Sequence, residues 1–231
     1  MVQNYDEFCA ELMRCGFSMG GGKAKGIYAI VPYDWKEQEL FNSPVKWHTG
    51  DPDTDPWEWR MRVLEERRDI AYAKVFYRIG GYITKDWYPC FLAARRGGDT
   101  FSDAWQNGEI SAMEKRVYEL ICEHGRLPSH SIRPLGGFSS EDNSKIEKAL
   151  TDLQMKMFIT ICGQEQKRNK FGEPYGWFST VFCTTESFWG EDMFKRAEKL
   201  SQDEAEEKIR RRVLELNPSA TKKDIMKFIY G

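Results

Sequence analysis

The chain has 231 residues, of which 41% are hydrophobic and 14% are aromatic. These fractions exclude a disordered polypeptide, because the chain has enough apolar surface to bury a core. The formal net charge of −2 excludes a protein that binds polyanions by overall positive charge, although one face can still be basic. No apolar run is as long as a membrane span, and the first residues do not resemble a signal peptide. We therefore expect a soluble, cytoplasmic protein.

The cysteines and histidines indicate neither disulfides nor a metal site. The six cysteines include no Cys-x-x-Cys pair, and their neighbours are mostly apolar, so we expect buried, reduced thiols. His48, His124 and His130 have no cysteine or carboxylate at ligand spacing. No cofactor is expected.

The first part of the chain alternates short helices, strands and loops. Apolar residues at helical spacing predict a helix over 5–15. The apolar run 26–32 predicts a strand, and the stretch 42–56, rich in proline, aspartate and glycine, predicts a loop. Thr54-Asp55-Pro56 predicts the start of a helix over 57–69, because Thr54 or Asp55 can cap it and proline suits its first position.

The segments that follow are less regular. The aromatic and apolar stretch 72–79 is compatible with either a helix end or a strand. Gly80-Gly81 predicts a break in the chain, and 83–94 predicts a further helix. The sequence Arg-Arg-Gly-Gly-Asp over 95–99 predicts a linker.

Residues 111–184 have the clearest pattern in the sequence. Three helices are predicted by apolar residues at helical spacing: 111–123, which begins with a capping box of Ser111 and Glu114, 129–135, and 143–154. Two strands follow, over 157–161 and 177–184, joined by a polar, basic turn over 163–172. Helix, short helix, helix and hairpin is the order of a winged helix-turn-helix.

We therefore expect an α+β fold that is mostly α-helical. Its parts are an N-terminal helical region with short strands over 1–107, a winged helix over 108–190, and C-terminal helices over 191–231. One interpretation of the N-terminal region is a second winged-helix-like unit. Helices over 201–216 and from Thr221 to Tyr230 are predicted in this last part and should pack on the rest.

Three stretches carry a family resemblance: Asp53-Thr-Asp-Pro-Trp-Glu-Trp-Arg60, Gly108-Glu-Ile-Ser111 and Ala149-Leu-Thr-Asp-Leu-Gln-Met155. They resemble the AlkZ-related proteins, distant relatives of the AlkZ and YcaQ DNA glycosylases. The resemblance implies tandem winged helices and, in the glycosylases, the excision of damaged bases or the unhooking of crosslinks. Those enzymes carry a Gln-x-Gln or Gln-x-Asp signature in their N-terminal half. The only Gln-x-Gln here, Gln164-Glu165-Gln166, falls in the predicted hairpin, so no catalytic role is carried over.

The third predicted helix and the hairpin carry a surplus of positive charge. From 143 to 170 there are six basic and three acidic side chains, a surplus of three charges. Lys145, Lys148 and Asp152 lie opposite the apolar stripe of the predicted helix, on the face that would enter the major groove. The candidate nucleic-acid-binding residues are Asn143, Lys145, Lys148, Lys167, Arg168 and Lys170. The alternative is a solvated helix face and a soluble turn.

The aspartates before the second helix are the candidates for catalysis. Asp51, Asp53 and Asp55 alternate as calcium ligands do, but the glycine and glutamate of such a loop are absent, and turn and cap chemistry explains them. A hydrolytic site, if the protein has one, would use Asp53 and Asp55 beside Trp57 and Trp59, because base excision needs a carboxylate near a stacking pocket.

Arginines and aromatic residues give two further patterns. Arg60, Arg67 and Arg68 could follow a nucleic-acid backbone, whereas Glu58 and Arg62, four residues apart, predict an ion pair on a solvated face. A cluster of aromatic residues is predicted to be core rather than a stacking platform for bases: Trp57, Trp59, Trp87 and Tyr88.

The leading prediction is a winged-helix protein that binds double-stranded DNA, as a diverged module related to DNA repair. One alternative is a DNA glycosylase that acts on alkylated or crosslinked bases. The other is a winged helix that binds a protein partner.

Overall fold

The computed structural model describes residues 2–20, 24–32 and 45–231. Its helices are α1 (Tyr5–Cys15), α2 (Pro56–Glu66), α3 (Tyr88–Arg96), α4 (Phe101–Gln106), α5 (Ala112–His124), α6 (Ser129–Leu135), α7 (Asn143–Met155), α8 (Thr185–Trp189), α9 (Glu191–Ala197), α10 (Gln202–Leu216) and α11 (Lys222–Tyr230). Its strands are β1 (Phe17–Met19), β2 (Ile70–Phe76), β3 (Ile79–Thr84), β4 (Leu127–Pro128), β5 (Ile159–Arg168) and β6 (Pro174–Thr184). The fold is therefore α+β. None of the helices in these ranges has the length and apolar character needed to cross a membrane.

The first sheet is antiparallel, with the strand order β1–β3–β2. Ile83 in β3 lies opposite Phe17 on one side and Ala71 on the other. Helices α1 and α2 meet beside this sheet, where the fully buried Trp59 stacks on Phe8 with ring centroids 4.9 Å apart. The contact between the two rings holds the start of α2 against α1.

The second sheet is also antiparallel, with the strand order β4–β6–β5. Phe182 in β6 lies opposite Leu127 of β4 and Ile161 of β5. Ser111 and Glu114 form the predicted capping box at the start of α5. The three predicted helices and the hairpin are therefore confirmed, and the strands of the hairpin extend further into the predicted turn than the sequence suggests.

A buried arginine connects three parts of the chain. Arg95, in the last turn of α3, donates hydrogen bonds to four backbone carbonyl oxygens: Val75 at 2.7 Å, Met155 at 2.8 Å, Phe228 at 3.1 Å and Ile229 at 2.5 Å. These carbonyls belong to β2, α7 and α11. One side chain thus links the first sheet, the third helix of the 108–190 segment and the C-terminal helices.

Two predictions near the first sheet are wrong. Residues 26–32 form no strand, because their backbone makes few ladder bonds: Tyr28 accepts one hydrogen bond from Met19 N–H at 3.0 Å, and Ile30 N–H donates to the Ser18 hydroxyl at 3.0 Å. Gly80-Gly81 does not break the chain but lies within β3. A Cβ at Gly81 would lie 2.2 Å from the Phe76 ring, so the absence of a side chain there makes room for that ring.

The predictions for 83–99 are also corrected. Residues 83 and 84 complete β3, and the helix predicted over 83–94 begins only at Tyr88. The predicted linker begins inside α3, because Arg95 and Arg96 form its last turn and Gly97 ends it in a left-handed conformation. Arg95 resembles a linker residue in sequence only, since its partners lie far away along the chain.

The cysteine thiols are free, as predicted. Cys122 is exposed and Cys162 is half-buried, so the expectation that every thiol is buried is wrong for these two.

Candidate nucleic-acid interface

The tip of the β5–β6 hairpin is a short turn organised by Asn169. Its backbone N–H donates to the Glu173 carbonyl at 2.9 Å, and its side-chain oxygen accepts from the N–H groups of Phe171 at 2.9 Å and Glu173 at 3.1 Å. Gly172, with φ of +82°, supplies the left-handed residue of the turn. The turn therefore holds a defined backbone at the end of two strands.

Three cations flank this turn and are exposed: Lys167, Arg168 and Lys170. Arg168 donates to the Gly172 carbonyl at 2.9 Å, and the ammonium of Lys170 lies 4.9 Å from the centre of the Phe171 ring. In the described part of the chain, none of the three forms an ion pair with a carboxylate. The carboxylate of Glu173, in the same turn, instead accepts a hydrogen bond from the Asn169 side chain at 3.0 Å.

The same hairpin exposes four aromatic side chains: Phe171 at 76%, Tyr175 at 51%, Trp177 at 94% and Phe178 at 59% of their full surface. Large aromatic side chains are usually buried, and a cluster of exposed ones marks an interaction surface. Sequence reasoning treated Trp177 only as the start of a strand. A usable signal in the sequence is the run Tyr-Gly-Trp-Phe over 175–178, which comes shortly after the basic turn and whose aromatic side chains cannot all face one core.

Helix α7 is exposed only at its N-terminal end. Asn143, Lys145 and Lys148 face solvent, whereas every residue from Ala149 to Met155 is buried. The side-chain oxygen of Gln154 accepts a hydrogen bond from the Lys74 N–H of β2 at 2.9 Å. The C-terminal half of α7 is therefore packed against the first sheet and is not available to enter a groove.

The lysines of α7 already have carboxylate partners. Lys145 pairs with Asp142 at 3.1 Å, and Lys148 pairs with Asp152 at 2.6 Å. Asp152, which the sequence placed on the solvent face, is almost buried and also pairs with Arg78 at 2.5 Å. Burial opposes ionisation of Asp152, but the hydrogen bonds from Lys148 and Arg78 outweigh it and hold the pKa of this carboxyl below its usual range.

The two aspartates considered for catalysis differ in their surroundings. Asp55 is fully buried and caps α2, and its carboxylate accepts four backbone hydrogen bonds: from His48 at 3.0 Å, Thr49 at 2.8 Å, Gly50 at 2.9 Å and Trp57 at 2.8 Å. The side chain of Asp53 is mostly exposed and lies 3.9 Å from Arg62. Asp55 therefore has the contacts of a structural cap, and Asp53 those of a surface residue.

The arginines of α2 are arranged differently from the prediction. Arg62 pairs with Glu66 at 2.8 Å rather than with Glu58. Arg60 lies over the Trp57 indole, with its guanidinium carbon 3.3 Å from the ring centroid. Trp59 and Tyr88 are core residues, as predicted, but Trp57 is 44% exposed. Trp87 is partly buried and packs against the core, so the prediction of a core cluster is wrong only at Trp57.

The Gln164-Glu165-Gln166 sequence belongs to the hairpin, as predicted, but it lies in strand β5 rather than in the turn. The Gln166 side chain donates to the Gly176 carbonyl at 2.8 Å, across the hairpin. No group of histidine, cysteine or carboxylate side chains within the described ranges is arranged to hold a metal ion.

The comparisons with known proteins identify the family. No curated protein and no solved structure gives a significant match to this chain. The family model described as AlkZ related matches residues 2–230, nearly the whole chain. The chain therefore belongs to the AlkZ-related family.

Proposed function

We propose that residues 108–190 form a winged helix whose hairpin binds double-stranded DNA through its phosphates. The order α5–β4–α6–α7–β5–β6, with β4 and β5 on either side of β6, supports the winged-helix interpretation. Membership of the AlkZ-related family supports a role related to DNA repair.

The observation that carries this proposal is the set of unpaired cations at the tip of the hairpin. Lysine and arginine side chains that lack carboxylate partners can neutralise phosphates without first breaking an ion pair. The N-terminal turn of α7 would lie towards the bases, with Asn143, Lys145 and Lys148 as the contacts. The two lysines must exchange their carboxylate partners for DNA, so we assign them the smaller share of the affinity.

Exposed aromatic residues give the hairpin a second means of contact. Trp177 is the most exposed of them and could enter a groove or wedge between base steps, as apolar side chains of minor-groove binders do. The same exposure also favours a second candidate function, the docking of a protein partner on the hairpin. The buried carboxylate of Asp55 accepts four backbone hydrogen bonds, so it does not support the glycosylase alternative.

The test is fluorescence anisotropy of a labelled duplex titrated with the full chain at several salt concentrations. Replacing Lys167, Arg168 and Lys170 with alanine should weaken binding of all sequences similarly and reduce the salt slope by about one unit for each lost phosphate contact. The matched control replaces three exposed lysines elsewhere, Lys199, Lys222 and Lys223, and so changes the net charge equally. This control should retain most of the affinity and the slope.

Trp177→Ala separates the aromatic contribution from the ionic one. It should weaken duplex binding without changing the salt slope, because it removes no charge. If the native chain shows no salt-sensitive binding at about micromolar concentration, the DNA proposal fails. The protein-docking function then becomes the better explanation of the exposed aromatic residues.

A further inference from the structure

A cleft lies between the first sheet and the base of the hairpin, away from the tip. Its volume is about 500 Å³, which is within the usual range of roughly 300–1,000 Å³ for small-molecule sites. Helix α2 and strands β2 and β3 form most of its wall, and Ile161 of β5 and Thr180 of β6 close it on the hairpin side. The cleft therefore lies where the two sheets meet.

An aromatic and cationic platform forms one wall of this cleft. The guanidinium of Arg60 lies over the Trp57 indole and within 6.0 Å of the centre of the Tyr72 ring. Arg60 is held in this position by a hydrogen bond from its Nε to the Trp57 carbonyl at 2.7 Å. Trp57 retains 44% of its surface, so the platform is not closed off by the core.

The shape of the floor depends on glycine. A Cβ at Gly80 would lie 2.3 Å from the Tyr72 hydroxyl, so only glycine lets that phenol lie against β3. Burial raises the pKa of Tyr72. Tyr72 is almost fully buried, so it supports the cleft from below, while Trp57 and Arg60 remain the accessible platform.

The charge of the cleft is strongly one-sided. Arg60, Lys74 and Arg78 line it, whereas none of its lining residues in the described ranges is an aspartate or a glutamate. Within those ranges Arg60 and Lys74 form no ion pair, and only Arg78 is paired, with Asp152. Two cations are therefore uncompensated beside an exposed indole.

We propose that this cleft binds a nucleoside phosphate, with the base against the platform of Trp57 and Arg60 and the phosphate on Lys74 and the edge of the Arg60 guanidinium. Each half of such a ligand matches one observed feature. A planar base gains from stacking on an aromatic face, and a phosphate gains from arginine and lysine donors that no carboxylate has neutralised. An uncharged aromatic ligand would leave the cations without partners, and an inorganic anion would leave the aromatic wall uncovered.

The nucleoside phosphate could be a free nucleotide or one residue of a nucleic-acid strand. The hairpin that carries the tip cations also forms one side of the cleft, so a strand held on the hairpin could place a nucleotide there. For a strand, the inference rests on the proposed DNA function. For a free nucleotide, it does not.

The test is calorimetric titration of the full chain with deoxyadenosine monophosphate, deoxyadenosine and inorganic phosphate. The monophosphate should bind saturably at or below about 1 mM, and each half-ligand should bind at least about tenfold more weakly. Arg60→Gln and Trp57→Leu should each weaken monophosphate binding about tenfold or more. The matched control is another cation–π pair on the surface, Lys115 over Trp105 at 4.5 Å. Lys115→Gln and Trp105→Leu should leave binding unchanged.

A second measurement follows binding in the native chain itself. In the native chain, the indole N–H signal of Trp57, identified by its loss in Trp57→Leu, should shift in nuclear magnetic resonance spectra as the monophosphate is added. The signal of Trp105 should not move.

A further titration distinguishes a free nucleotide from a nucleic-acid strand as the ligand. It also tests the cleft separately from the proposed DNA binding at the hairpin tip. A short single-stranded oligonucleotide is titrated into the chain whose hairpin cations are replaced by alanine, so that binding at the tip is removed. Binding of either the free nucleotide or the oligonucleotide that depends on Arg60 and Trp57 supports the cleft, whether or not duplex binding is found. The proposal is overturned if neither binds up to about 5 mM, if inorganic phosphate binds as well as the monophosphate, or if the cleft variants bind normally.

Discussion

Replacement of Asp55 should destabilise the chain more than replacement of any neighbouring aspartate. The carboxylate is fully buried and accepts four backbone hydrogen bonds, one from Trp57 at the start of α2 and three from residues 48–50. Asp55→Ala removes all four acceptor contacts at once. Because the same residue was a candidate for catalysis, its structural weight must be known before any loss of activity is interpreted.

The expected cost can be built from these contacts. Loss of the cap on the Trp57 N–H costs about 1 kcal/mol. The N–H groups of residues 48–50 belong to an exposed loop, so water can replace the carboxylate and each should cost about 0.5–1 kcal/mol. The sum predicts a loss of about 3 kcal/mol in the free energy of unfolding. Asp55→Asn keeps one oxygen acceptor, and should lose about half as much.

Urea unfolding monitored by circular dichroism measures this difference, provided that the dependence of the free energy on urea is unchanged. Asp53→Ala is the control, because the Asp53 side chain is mostly exposed and lies 3.9 Å from Arg62. It should change the free energy of unfolding by less than about 0.5 kcal/mol. A loss below about 1 kcal/mol for Asp55→Ala would refute the reasoning, since the four contacts would then contribute little.

Two further predictions concern side chains that link the first sheet to α7. Arg95→Met should lower the free energy of unfolding by at least about 3 kcal/mol, because four carbonyls in β2, α7 and α11 lose a charged donor. Thermal unfolding measures this loss, and Arg68→Met, at an exposed arginine, is the control. Equal melting temperatures for the two variants would contradict the prediction. Asp152 has a lowered pKa, so its contribution to stability should be complete above about pH 4 and lost as the pH falls through the lowered value. Unfolding of the native chain and of Asp152→Asn from about pH 6 to pH 2 should therefore give curves that converge at low pH, and parallel curves would exclude this linkage.

Local signals in the sequence were sufficient for the segment 108–190. The Ser111 hydroxyl accepts a hydrogen bond from the Glu114 N–H, and the Glu114 carboxylate accepts one from the Ser111 N–H, so both partners of the cap lie within three residues. The apolar stripe of α7 repeats at helical spacing for the same reason, because a helix is set by near neighbours. Elements of this kind could be predicted because their energetics are local.

The features that were missed depend on distant partners. Arg95 follows the pattern of a linker, but its acceptors include Ile229, 134 residues away. Asp152 lies on the polar side of its helix in sequence, yet its partner Arg78 comes from the β2–β3 hairpin. Gly80-Gly81 resembles a break until the rings of Tyr72 and Phe76 occupy the space beside it. A single sequence does not contain these pairings, because they arise only when the sheets meet.

The spacing of Trp57 and Trp59 in the sequence is sufficient to predict that the core does not bury both of them. Trp57 and Trp59 are two residues apart in a helix, so their side chains point to nearly opposite sides. Trp59 is fully buried against Phe8, and Trp57 is consequently left at the surface beside Arg60. The prediction that both tryptophans are core residues is inconsistent with this geometry. It also leaves Trp57 out of the aromatic wall of the cleft.

The pairing of charges, rather than their number, separates the candidate surfaces of this chain. The sequence counts Lys145 and Lys148 equally with Lys167 and Lys170, but the first two already hold Asp142 and Asp152. A lysine that must leave a carboxylate to reach a phosphate exchanges one ion pair for another, and its net gain is small. The cations at the hairpin tip, and Arg60 and Lys74 in the cleft, have no such exchange to make among the residues described. A chain with a net charge of −2 can therefore still have two places where, among the residues described, cations lack a carboxylate partner.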